Sequence, residues 1–172
     1  FENNKEEIID TVFQAKNNAN IPFSVFKITG LGKSSTIKKA SLNKKSLNED
    51  EEQQVARIKQ RVNQICKVAF ENGVSVFIDA EDSWYQDFID DVAELMIVKY
   101  NQKNPIIYNT IQLYRHDRMN YMKGLIERCE EQNLSLGLKL VRGAYMEKER
   151  EVASELGYKD PIHQTKNDTD QD

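Results

Sequence analysis

The chain has 172 residues, of which 30% are charged and 39% hydrophobic, with a formal net charge of −4. That is enough for one domain with a sizeable core, and the negative balance excludes nucleic-acid binding by the chain as a whole, so an anionic ligand would need a local cationic pocket. No apolar run approaches the ~20 residues of a membrane-spanning helix, and Cys66 and Cys129, without a CxxC or histidine cluster, read as two buried thiols.

Apolar periodicity divides the chain into alternating segments. Ile8, Ile9, Val12, Phe13 and Ala15 are helix-spaced and predict a leading helix within residues 1–20. Residues 23–28 are short, β-branched and aromatic, and predict a strand. A long polar stretch from Gly32 to Asn48 carries no predicted element. Val55, Ile58, Val62, Ile65, Ala69 and Phe70 mark a second helix, which Asn72 and Gly73 should end through a left-handed cap. A second strand is expected at 74–78. The next helix, capped by Ser83, carries Trp84, Phe88, Ile89, Val92, Leu95 and Met96. A third strand follows at 105–113, then a helix from about Asp117 to Gln132, a fourth strand at 136–141, and a helix stopped at Gly157. The remaining residues, 158–172, form a polar tail. The opening at Phe1 and the polar end suggest that both termini continue in a longer protein.

The later strands recur at about the length of a βα unit with its crossover helix, which favours a parallel sheet. Thr29-Gly-Leu-Gly-Lys33 lacks both dinucleotide and Walker spacing. The pattern therefore points away from a Rossmann sheet and towards a (βα) barrel, where chemistry gathers at the C-terminal ends of strands. Lys27, Asp79 and Glu81, Gln112, and Lys139, Arg142 and Tyr145 occupy four successive strand ends. Charges on apolar strands are costly to bury alone, so these groups should face one another or a ligand. Each has a blander reading by itself: Lys27 as a snorkelling side chain, Asp79 or Asp82 as a helix cap.

Four segments carry a resemblance. Phe26-Lys-Ile-Thr-Gly-Leu31, Ile78-Asp-Ala-Glu81, Thr110-Ile-Gln-Leu-Tyr114 and Leu138-Lys-Leu-Val-Arg-Gly-Ala-Tyr145 resemble, in order, the strand-end motifs of the proline dehydrogenase family. The last is the most specific. The resemblance implies a partial (βα)8 TIM barrel of four to five βα units, filling residues 1–172 as a single domain: a leading helix to 20, four βα units over 21–157, and a tail near the fifth strand. It implies a fragment of a flavoenzyme that oxidises L-proline to Δ1-pyrroline-5-carboxylate, with hydride transfer to N5 of FAD and electrons passing to a quinone.

By that resemblance Lys27 binds the substrate carboxylate, Asp79 organises the pocket and Tyr145 walls it. Ala80, Gln112, Lys139, Val141, Arg142, Gly143 and Ala144 line the flavin, with Lys139 also tuning its chemistry. Other members of the family carry Arg where this chain has Lys139. Lys166 would meet the FAD phosphates from the fifth-strand region. His116 and His163 match nothing catalytic and read as surface residues. The substrate-binding Arg pair and the later strands of the family are absent from these 172 residues, so the chain alone is expected to be inactive and not to retain FAD. The implied location is cytoplasmic or peripheral to the respiratory membrane, and mitochondrial in a eukaryote. The alternative is a non-catalytic half-barrel module that binds a partner or self-associates; two open sheet edges favour a homodimer of half-barrels. A Schiff-base role for Lys27 is disfavoured, because Asp79 would raise a pKa that such chemistry needs depressed.

Overall fold

The computed structural model describes all residues from Phe1 to Asp172. Helix α1 (Glu2–Ala15) leads into strand β1 (Phe23–Phe26), followed by a 3-10 turn (Ile28–Leu31) and helices α2 (Ser34–Leu42) and α3 (Glu49–Asn72). Then come β2 (Ser75–Ile78), α4 (Ser83–Tyr100), β3 (Ile107–Gln112), α5 (Arg118–Glu131), β4 (Gly137–Val141), α6 (Met146–Leu156) and the short α7 (Lys166–Gln171). The four strands form one parallel sheet in the order β1-β2-β3-β4. Strand–helix alternation with sequential parallel neighbours is the opening of a (βα) barrel.

Strand parity decides what each face does. Phe26, Val76, Ile78 and Ile107 point to the helices and join Ile58, Val62, Ile65 and Cys66 of α3 and Phe88, Ile89, Val92 and Ala93 of α4 in the core. An open half-barrel predicts a bare inner face with Val25, Val76, Ile78 or their neighbours meeting water; Val76 and Ile78 are fully buried on the helix side of the sheet, away from that inner face. That face instead carries Val25, Phe77 and Tyr108, which share one row of the ladder. Val25 is 47% exposed. Phe23 and Phe77 stack at 4.2 Å, and Tyr108 meets both rings edge-on. Gly137 ends the row: a Cβ there would stand 2.6 Å from the Tyr108 ring, so glycine gives the aromatic cluster its room.

Local signals explain most element boundaries. Asn48 and Glu51 form a reciprocal capping box that opens α3, and Gly73 closes it at φ 66°. Ser83 does not cap α4. It is the first helical residue, and Glu149 of α6 accepts from its N–H at 2.5 Å and from its hydroxyl at 2.7 Å. A carboxylate on the positive end of a helix is favourable, and it ties α6 to the loop after β2.

Two regions differ from expectation. Within the polar stretch after Gly32, α2 forms because Ile37 and Ala40 bury one face of it against α4. In the tail there is no fifth parallel strand. Ile162 makes an isolated antiparallel bridge to Arg115, and Thr165 and Asp168 then form a capping box that starts α7. Pro161 lacks a ladder N–H and the segment is polar, so it cannot extend the apolar sheet. No helix is long and apolar enough to cross a membrane. Both cysteines are buried and free, and burial pushes their thiols up.

Candidate functional site

The C-terminal ends of the strands open on a cleft of about 200 Å³ lined by Lys27, Asp79, Ala80, Thr110, Gln112, Tyr114, Lys139, Val141, Ala144 and Tyr145. Its floor follows from the sheet register. Phe26 pairs with Ile78, and Thr110 with Lys139; one residue beyond the Phe26 row, Lys27 and Asp79 fall side by side on the inner face. Asp79 accepts from Lys27 Nζ at 2.8 Å through one oxygen and from Lys139 Nζ at 2.7 Å through the other. One carboxylate thus bridges two ammonium groups from strands on either side.

The electrostatics follow. Partial burial works to raise the Asp79 carboxyl, but hydrogen bonds from Lys139 and Lys27 outweigh it and hold the group below its ordinary value. Burial likewise works to lower Lys27, and Asp79 together with Tyr145 prevails and raises it. Lys27 is therefore a fixed cation, as anion binding requires and Schiff-base chemistry does not. Two ammonium groups thus meet one carboxylate on the cleft floor. Lys27 has 47% of its side chain exposed and Lys139 32%, so both reach the open space. Lys139 Nζ also lies over the Phe77 ring, 5.7 Å from its centroid.

Around this triad the walls are rigid. Gln112 Nε2 donates to the Glu81 carbonyl at 2.6 Å and to the Tyr114 hydroxyl at 3.0 Å, and its Oε1 accepts from Arg115 at 3.2 Å. Thr110 donates to the Ile78 carbonyl. Tyr145 sits at φ 44°, a left-handed conformation unusual for an aromatic residue, at the turn into α6.

Lys27, Asp79, Gln112, Lys139 and Tyr145, named from the strand ends, meet at the cleft, as do Ala80, Val141 and Ala144, named only by the resemblance, whereas Glu81 does not line it. Arg142, Gly143 and Lys166 do not line it. Arg142 is exposed and pairs with Asp170 of α7 at 3.0 Å, while Lys166 opens α7 itself. Thr110 and Tyr114 are lining residues without an assigned role at the sequence level; they lie two residues to either side of Gln112, and strand parity was the available signal. His116 is exposed, whereas His163 is half-buried, meets His116 edge-on with ring centroids 4.6 Å apart and pairs with Asp172 at 2.8 Å.

A parallel βα sheet with a charged cleft at its carboxyl end is the arrangement of a barrel enzyme's substrate site. A family model described as proline dehydrogenase matches residues 6–172, and the chain belongs to that family. It is 38% identical over 125 residues to proline dehydrogenase 1, mitochondrial, of Arabidopsis thaliana, covering 72% of this chain and 25% of that protein. To proline dehydrogenase 1, mitochondrial, of Homo sapiens it is 39% identical over 117 residues, covering 68% of this chain and 20% of that one. The chain thus spans a quarter or less of the length of these relatives. Among solved structures it resembles proline utilization A (PutA) from Bdellovibrio bacteriovorus inactivated by N-propargylglycine, with a TM-score of 0.79 and 21% identity over 98% of this chain and 18% of that one. That likeness establishes the fold as part of a TIM-like barrel.

Proposed function

We propose that the chain is the first half of the catalytic barrel of a flavoenzyme that oxidises L-proline to Δ1-pyrroline-5-carboxylate and passes the electrons to a quinone. The observation that carries this reading is the Lys27–Asp79–Lys139 bridge on one row of the sheet, open to the cleft. Proline presents one carboxylate and one secondary amine on a small apolar ring. Lys27, held in place by Asp79, supplies the point charge for the carboxylate, and Tyr145 beside it limits the space for the ring. Converting the ring to the imine removes a hydride from the carbon next to nitrogen and a proton from the amine.

The residues fit a flavin on one side. Lys139 offers an exposed ammonium donor, and Val141 and Ala144 offer apolar contact beside it. FAD, when bound, supplies the hydride acceptor. Lys139 places positive charge where the reduced cofactor carries negative charge, and Asp79 orients Lys139 from below. Gln112 reaches the same wall, although its amide is already engaged by Glu81 and Tyr114. Lys166 is the cation for the phosphate end and Arg142 runs along the cofactor in this reading, and both lie outside the cleft in this chain.

The remaining barrel would complete the grip on FAD, so these 172 residues by themselves are inactive in this reading and associate through their open edges as a homodimer. The reading places the complete protein at the respiratory membrane's surface, or in the mitochondrion of a eukaryote. The test is product analysis. The full-length protein, given L-proline and a quinone, should yield a product lighter than proline by one hydride and one proton. Quantitative recovery of unchanged proline would reject the reaction.

A further inference from the structure

Lys27 and Asp79 stand just beyond the ends of neighbouring strands, and each is followed two residues later by a partner in a second, deeper contact. Thr29, two beyond Lys27, donates its N–H to Glu81 Oε1 at 3.1 Å and its hydroxyl to Glu81 Oε2. Glu81, two beyond Asp79, is 5% exposed and is held at its backbone as well. Its N–H donates to Gln86 Oε1 of α4 at 2.9 Å, and its carbonyl accepts from Gln112 Nε2 of β3 at 2.6 Å. One residue therefore fastens the β1 loop, the β2 end, the β3 end and the start of α4 to one another. Glu81 does not line the cleft.

We infer that Glu81 is a positioning residue: by clamping Thr29 it fixes the loop that carries Lys27, and so sets the reach of the Lys27 ammonium over Asp79 into the cleft. The geometry supports this over a purely structural part in three ways. The clamp closes across the same pair of strands as the Lys27–Asp79 bridge. Lys27 lies just beyond the end of β1, between its last ladder residue and the 3-10 turn, so the sheet alone does not hold it. The Gln112 amide that binds the Glu81 carbonyl belongs to the cleft wall, so displacement of Glu81 would also move that wall. Both Thr29 bonds are contacts that an amide can also make, and burial raises the Glu81 carboxyl against those bonds and the charge of Lys27. Glutamine should then serve nearly as well as glutamate, because its amide still accepts from the Thr29 N–H while the hydroxyl reverses its role.

The inference rests on the proposed proline site for its kinetic consequence but not for its structural one, and the experiment separates the two. In the full-length protein, Glu81→Ala, Glu81→Gln and Thr29→Val are compared by two readouts. One is acylation of Lys27 by an amine-directed reagent, read by mass spectrometry against the exposed Lys38. The other is KM and kcat for L-proline at equal flavin content. Glu81→Ala should raise Lys27 labelling severalfold and KM about tenfold with a smaller change in kcat, since a displacement near 1 Å has effects of this order or more. Glu81→Gln should stay within about twofold on both. Thr29→Val, which keeps the backbone bond, should shift both in the direction of Glu81→Ala, and it decides the matter if Glu81→Ala does not fold. Wild-type labelling and KM in Glu81→Ala, or an effect of Glu81→Gln as large as that of alanine, would overturn the clamp. A protein that ignores proline yet exposes Lys27 in Glu81→Ala removes the functional reading and leaves the clamp standing.

Discussion

Asp79 is the residue on which the site turns. Its carboxyl lies below its ordinary value because two ammoniums outweigh the cost of partial burial. Linkage fixes the sign: the stability it supplies is present above the usual aspartate range and is lost as pH falls through the folded value. We expect Asp79→Asn to lower stability near neutral pH by about 1.5–3 kcal/mol, the range for a hydrogen bond to a charged group. The difference from wild type should vanish as the medium becomes strongly acidic. Urea melts across that pH range measure it, and a constant difference at every pH would show that the ion pairs are not its source. Lys139 permits a separate expectation. In the flavin-loaded full-length protein, Lys139→Met should make the reduction potential more negative by about 30 mV, a tenfold change for a two-electron couple, while affinity for a carboxylate analogue of proline stays nearly constant. Collapse of analogue binding with an unmoved potential would assign Lys139 to the substrate instead.

At the scale of elements, the outer side of β3 holds a buried polar network. Asp90 of α4 accepts from Arg118 of α5 at 2.7 Å, from Asn109 of β3 at 2.9 Å and from Gln86 at 3.0 Å. The Arg118 and Asp90 side chains are 2% and 5% exposed. Removing one partner leaves the other charge buried, so Asp90→Ala should cost about 3–5 kcal/mol, seen as a lower urea midpoint; a shift under about 1 kcal/mol would mean that water reaches Arg118. None of this was legible in the sequence, because Asp90 and Arg118 are far apart in the chain and only the packing of α4 and α5 on β3 joins them. The strands were legible to within a few residues, from β-branched and aromatic runs bounded by Gly, Asn and Pro. The position of the candidate cleft was legible in part, since Lys27 and Asp79 sit just past such runs and Gln112 and Lys139 interrupt their apolar pattern near the ends. Helix α2 was hidden because Ile37 and Ala40 give too short an apolar pattern among Ser and Lys, and contact with α4 selects it. The Asn48–Glu51 box was a visible signal for α3 that apolar periodicity alone overlooked. The inner face was legible at Val25 but not in β2, where Phe77 and not Val76 or Ile78 stands on it, because a short apolar run fixes no parity until its neighbours are paired.

For the molecule as a whole, β1 and β4 are the outer strands of an open sheet, and the face between them carries Val25, Phe77 and Tyr108 towards solvent. Unpaired edges beside such a face favour association. The 172-residue chain alone should sediment as a dimer or larger at micromolar concentration and should not purify with stoichiometric flavin, because in the proposed site Lys139, Val141 and Ala144 would reach only one end of that cofactor. A flavin-free monomer that unfolds cooperatively would contradict the first expectation, and a yellow protein the second. The central claim concerns the complete enzyme, and one measurement reaches it directly: flavin absorbance of the purified full-length protein on anaerobic addition of L-proline, for wild type and Asp79→Ala. The account predicts prompt bleaching in the wild type and a rate at least about tenfold lower in the variant. Flavin that stays oxidised with proline in the wild type, or an Asp79→Ala rate within about threefold of it, would contradict the account.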